Sequence, residues 1–68
     1  MNGQTVWVKA AQDANNGDLV LCTLNDQGYC KKLRKDENGI ALISLNKKYA
    51  PIPVQEEDEF RIAGIVVG

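Results

Sequence analysis

Residues 15–33 read NNGDLVLCTLNDQGYCKKL: an apolar run, a short polar break, and a second run that ends in a lysine doublet. Asn, Asp and Gly around the break supply turn-forming backbone, while Val, Leu, Thr and Tyr favour extended chain. The stretch therefore predicts a β-hairpin. With Asp26 and Gln27 at the centre of the turn, Cys22 faces Lys31 and Val20 faces Leu33 across the pair. Side chains alternate between the two sides of a strand. Tyr29, Lys31 and Leu33 thus share a side with Val20, Cys22 and Leu24, while Cys30, Lys32 and Arg34 take the other. One lysine of the doublet is placed on an apolar face and its neighbour on a face open to water.

Outward from the hairpin, the chain keeps predicting strands. Asp36-Glu37-Asn38-Gly39 is a second tight turn, with Asn-Gly as its signal because both residues tolerate positive φ. Ile40 to Leu45 follows as a third strand, apolar on both sides and hence central, with Ser44 inside it. In Asn46 to Val54, Pro51 and Pro53 lack amide donors, which predicts extended edge or loop. Gln55 to Glu59 is an acidic run expected simply to stay solvated. Phe60 to Gly68, FRIAGIVVG, is the last strand: strict alternation puts Phe60, Ile62, Gly64 and Val66 on one face and Arg61, Ala63, Ile65 and Val67 on the other. A chain this short has little material to cover both faces, so the uncovered one is expected to meet another protein surface. Before the hairpin, Thr5 to Lys9 reads as a strand and Ala10 to Gly17 as a connection. The fold class is all-β, small and mainly antiparallel, built of hairpins with no major helix.

The 68 residues predict a single domain (1–68) with one core. Eight basic and nine acidic residues leave a formal charge of -1, a poor footprint for direct nucleic-acid binding. Histidine is absent and the two cysteines, Cys22 and Cys30, fall on different faces. No Cys/His zinc site or disulfide is therefore predicted, and free thiols suit a reducing compartment. No cofactor is implied. No stretch is apolar and long enough to span a bilayer, and MNGQTVWV lacks a charged leader followed by an apolar block, so the expectation is a soluble, cytoplasmic chain without membrane contact.

Without histidine, the chemistry-bearing candidates are lysine, cysteine, serine and carboxylates. Ser44 is the one serine and reads as a small space-filling residue. Cys22 gains interest from the lysine set opposite it, since a nearby ammonium lowers a thiol's pKa. A buried structural thiol is the competing reading. Lys31 has two readings. Desolvation on an apolar face would lower its pKa and suit it to general-base work. Alternatively, its stem lies over the core at the sheet margin while its ammonium reaches water.

The blocks ANNGDLVLCTL, YCKKLRK, NKKYAPIPV and FRIAGIVVG, in this order and spacing, resemble the C-terminal peptidase domain of LexA-like proteins, a group that includes UmuD and phage-lambda-type repressors. That family's pattern has an NGD entry, a V-K-R-L strand, an N-x-x-Y-x-P-I segment and a terminal I-x-G-x-V-V-G strand. The resemblance implies a serine–lysine dyad, with Lys31 as the general base: Cys30 stands for the Val, Lys32 for the Arg, and Leu33 is retained. The family's serine lies in a G-D-S-M turn ahead of a D-G-D strand, of which Asn2-Gly3-Gln4 looks like the remnant. The serine is thus expected before Met1, and the 68 residues alone are not expected to cleave anything.

The same resemblance implies a homodimer formed through the last strand, with Phe60, Arg61, Ile62, Ala63, Ile65 and Val67 at the interface. It also implies DNA contact only through a separate upstream domain and a RecA-type activator of self-cleavage. A small β-barrel interaction module without enzyme ancestry, and a relative of signal peptidases with an upstream anchor, are the alternatives.

Overall fold

Asn25 and Asp26 hold φ values of 50° and 70°, the pair of left-handed residues that a two-residue type I′ turn requires. They fix where the central hairpin closes. In the computed structural model, which describes residues 6–68, six strands form one antiparallel sheet: β1 (Val8–Ala10), β2 (Leu19–Leu24), β3 (Gln27–Asp36), β4 (Gly39–Ile43), β5 (Ile52–Val54) and β6 (Phe60–Val66). Their order across the sheet is β1, β6, β2, β3, β4, β5. The all-β expectation holds. The proposed remnant Asn2-Gly3-Gln4, and Thr5 at the start of the expected first strand, lie outside the described residues.

The hairpin turn sits one residue earlier than the sequence suggested. Leu24 pairs with Gln27, so Val20 opposes Lys31 and Cys22 opposes Tyr29, in place of the expected Val20–Leu33 and Cys22–Lys31 pairs. Asn and Asp tolerate left-handed backbone and Gln does not, which decides the position. Asn25 is also tethered from outside the hairpin: its amide N–H donates to the Glu59 carbonyl at 2.8 Å. Its side chain donates to Asp58 Oδ1 and accepts from Glu59 N–H, both at 2.9 Å. The acidic run therefore does more than stay wet. Asp58 also accepts from the Gln55 N–H at 2.8 Å, tying the turn before β6 to the tip of the hairpin.

At the second turn, Asp36 pairs with Gly39, leaving Glu37 and Asn38 as the loop. Only the glycine takes positive φ, at 122°, where a Cβ is least tolerated. β4 is central, as expected, with β3 on one side and β5 on the other. It ends at Ile43, so Ser44 lies past the strand, and its hydroxyl accepts from the Asn46 N–H at 3.1 Å. Pro53 pairs with Ala41 on the outermost strand, where a missing donor costs no ladder bond on the open side.

β6 departs most from simple alternation. Leu21 pairs with Gly64 but Cys22 pairs with Ile62, so Ala63 is an extra residue in the strand, a β-bulge. Beyond the bulge the faces exchange. Ile65 joins Phe60 and Ile62 against the core, correcting the expected grouping of Ile65 with Arg61 and Ala63. β2 runs along one edge of β6 from Phe60 to Ile65, and β1 lies along the other at Gly64 to Val66.

The core lies on the face shared by Val20, Cys22, Leu24, Leu33 and Leu42, with Ala14 over it. Val20, Leu33 and Leu42 are fully shielded, each worth roughly 1.5–3 kcal/mol of transfer free energy. The sheet curls around this core: Ile40 of β4 and Phe60 and Ile62 of β6, with β2 and β3 between them in the order, line one open cavity of about 400 Å³. Residues 11–18 cross the concave side. Ala11 N–H donates to the Ala63 carbonyl at 3.2 Å, and Gly17 N–H to the Leu33 carbonyl at 2.8 Å. Asn16 Oδ1 accepts from the Lys35 N–H, while Asp13 meets the Lys35 ammonium at 3.2 Å.

Candidate functional site

Lys31 projects from β3 on the core side of the sheet, between Tyr29 and Leu33 in the strand and beside Val20 on β2. Shifting the hairpin by one residue on each strand preserves the parity of the faces, so the expected division of the doublet stands. Lys31 is half-buried and Lys32 is exposed. Lys32 pairs instead with Leu19 and Ile43 on the outer face, near Cys30 and Arg34.

The ammonium of Lys31 lies 5.7 Å from the centroid of the Tyr29 ring, within cation–π range. The ring is fixed on two sides. It packs against the core cluster, and its hydroxyl donates to Gln27 Oε1 at 3.0 Å. Among the described residues, the single ion pair is Lys35–Asp13, so Lys31 has no carboxylate partner there. The neighbours of Lys31 on this face are thus apolar side chains and one aromatic ring.

Cys22 does not gain a reactive thiolate from this surrounding. Burial, together with the Cys30 thiol, pushes its thiol above the usual cysteine range, and the opposing pull of the Lys31 ammonium is the smaller influence. Cys22 is buried on the inner face and Cys30 exposed on the outer one, and both are free. Ser44 is committed to the Asn46 turn. The open cavity between residues 11–18 and the sheet is lined by Gln12, Asp13, Ile40, Phe60, Arg61 and Ile62 and does not include Lys31.

Two carboxylates are held below their usual range. Asp13 accepts the Ala14 N–H and then the Lys35 ammonium. Asp58 accepts the Asn25 side-chain amide and then the Gln55 N–H. Both serve the frame around the site. Among the described residues no group of three His, Cys, Asp or Glu side chains gathers to hold a metal ion. No helix there is long and apolar enough to cross a membrane.

Of the expected interface residues, Phe60, Ile62 and Ile65 pack against the core, while Arg61, Ala63 and Val67 are exposed. Tyr29 was not singled out from the sequence. Its signal was available: an aromatic residue two positions before a lysine in a strand lies on the same face.

A family model described as Peptidase S24-like matches residues 1–67. Among curated proteins, the chain is 38% identical over 68 residues to the LexA repressor of Bordetella pertussis, covering 100% of this chain and 32% of that protein. It is 37% identical over 68 residues to the LexA repressor of Delftia acidovorans, covering 30% of it. It is 39% identical over 67 residues to that of Oleidesulfovibrio alaskensis, covering 98% of this chain and 32% of the relative. The chain thus spans about a third of the length of these relatives.

Proposed function

Because the chain belongs to the Peptidase S24-like family, we propose that it is the lysine-bearing, C-terminal part of a LexA-like self-cleaving repressor, with Lys31 as general base for a serine supplied by preceding chain. The observation that carries this reading is the placement of Lys31, half-buried on the core face in the C-K-K-L block, beside an exposed Lys32.

The chemistry follows from that placement. A neutral Lys31 Nζ takes the proton of the serine hydroxyl as its oxygen attacks the carbonyl carbon of the scissile peptide bond. The resulting ammonium returns the proton to the departing amine nitrogen as the tetrahedral adduct collapses, leaving an acyl-serine that water then hydrolyses. Nζ holds and releases the proton throughout. Strand β3, held between β2 and β4, supplies a rigid base on which that atom is mounted.

The parent is proposed to be a homodimer that binds DNA through a separate upstream domain, works in the cytoplasm and is activated by a RecA-type protein. Arg61 and Ala63 in the last strand and Val67 just after it are exposed and available to the dimer. With the preceding chain restored, Lys31→Ala is expected to lower self-cleavage at least about 100-fold, the lower range for loss of a general base, with an unchanged circular dichroism spectrum. Lys32→Ala should leave cleavage intact. Retained cleavage in Lys31→Ala would end this assignment. Light scattering across a dilution series tests the dimer separately, and a mass that stays monomeric at high concentration would remove it.

A further inference from the structure

The geometry points to Tyr29 as a positioning residue for the dyad: its ring is the neighbour on which the Lys31 ammonium rests on the inner face of β3, and it sets where Nζ stands for a serine hydroxyl. This rests on the reading of Lys31 as the base. The two residues sit two apart in the strand and hence on one face. The ammonium is 5.7 Å from the ring centroid. The ring itself has little freedom, since core packing restrains its body and the bond to Gln27 Oε1 restrains its tip.

A ring face attracts the ammonium and does little for the neutral amine. Tyr29 therefore gives the ammonium a resting place on the inner face of β3. Tyr29 does not touch the reacting bond and acts only through Lys31.

NMR on the chain as it stands tests the contact directly. Nuclear Overhauser effects between the Tyr29 ring protons and the Lys31 ε-methylene are expected, along with an upfield ring-current displacement of that methylene relative to exposed Lys32. Tyr29→Ile, which keeps strand propensity, should abolish the displacement, and Tyr29→Phe should retain it. Absence of the Overhauser contact in the unmodified chain would overturn the proposal and needs no variant. In the parent with its serine, Tyr29→Ile should lower the pH of half-maximal self-cleavage by about half a unit, equivalent to about threefold faster cleavage on the rising limb. Tyr29→Phe should follow the unmodified profile. Superimposed profiles for Tyr29→Ile and the unmodified protein would also overturn it. Should Lys31→Ala still cleave, the assignment of the base fails, while the NMR contact reports on Tyr29 independently.

Discussion

Gly64→Ala isolates one close approach in the fold. A Cβ built at Gly64 would meet Val8 Cγ1 at 2.5 Å and the Lys9 carbonyl oxygen at 2.9 Å. The second of these is backbone of β1 and cannot rotate away. Either β1 lifts from β6 or the bulge at Ala63 flattens, and overpacking of this kind costs about 1–3 kcal/mol. A 68-residue domain has a total stability of roughly 3–10 kcal/mol at 0.05–0.15 kcal/mol per residue. The loss is thus a large fraction of the whole and lowers Tm by at least about 4 °C. Gly28→Ala is the matched control, because nothing lies within 4 Å of a Cβ there. That change removes a strand glycine's excess entropy and should stabilise by up to about 1 kcal/mol. Urea unfolding followed by circular dichroism reads both variants. The fluorescence of Trp7, whose N–H bonds to the Gly68 carbonyl at 3.2 Å, reports on β1 itself. Equal midpoints for Gly64→Ala and the unmodified chain, with an unchanged Trp7 spectrum, would refute the steric reasoning.

Three further outcomes follow from the core and its frame. Leu42→Ala, at a fully buried centre, should cost about 2–5 kcal/mol by chemical denaturation. Asp58 and Asp13 have carboxyls held below their unfolded values, so the stability each contributes is present above the usual carboxylate range and is lost as pH falls through the lowered one. Asp58→Asn should therefore flatten the acid limb of a Tm-against-pH curve, and an unaltered slope would count against the Asn25–Asp58 tether. In native protein, Cys30 should react with a disulfide reagent at the rate of an exposed thiol. Cys22 should react only on unfolding, both because it is buried and because burial raises its thiol's pKa.

The strands and the side of Lys31 were legible because both depend on short-range periodicity. Moving the turn from Asp26-Gln27 to Asn25-Asp26 changed every cross-strand pair in the hairpin and no face, since both strands slid together. What stayed illegible depends on distant partners. Asp58 looked like one more solvated acid, and the group that employs it lies 33 residues away at Asn25. The bulge at Ala63 exchanged the faces of Ile65 and Val66, and no local pattern signals one inserted residue. Sequence alternation likewise could not say that β6 enters between β1 and β2. Tyr29 was on the right face by parity, but only the ring distance reveals that it meets the ammonium.

The insertion of β6 between β1 and β2 also constrains the order of folding. The hairpins β2–β3 and β3–β4 join neighbours in the chain and can close as soon as they are synthesised, whereas among the described residues β1 has β6 as its one strand partner. Among the described residues, the segment Val8–Ala10 has no strand to pair with until Gly64 to Val66 emerge. Pulse-labelled hydrogen exchange should accordingly show β1 gaining protection in the same late phase as β6, and earlier protection of β1 would contradict it. A chain broken just before Phe60 would lose two strands from the sheet, the first as well as the last.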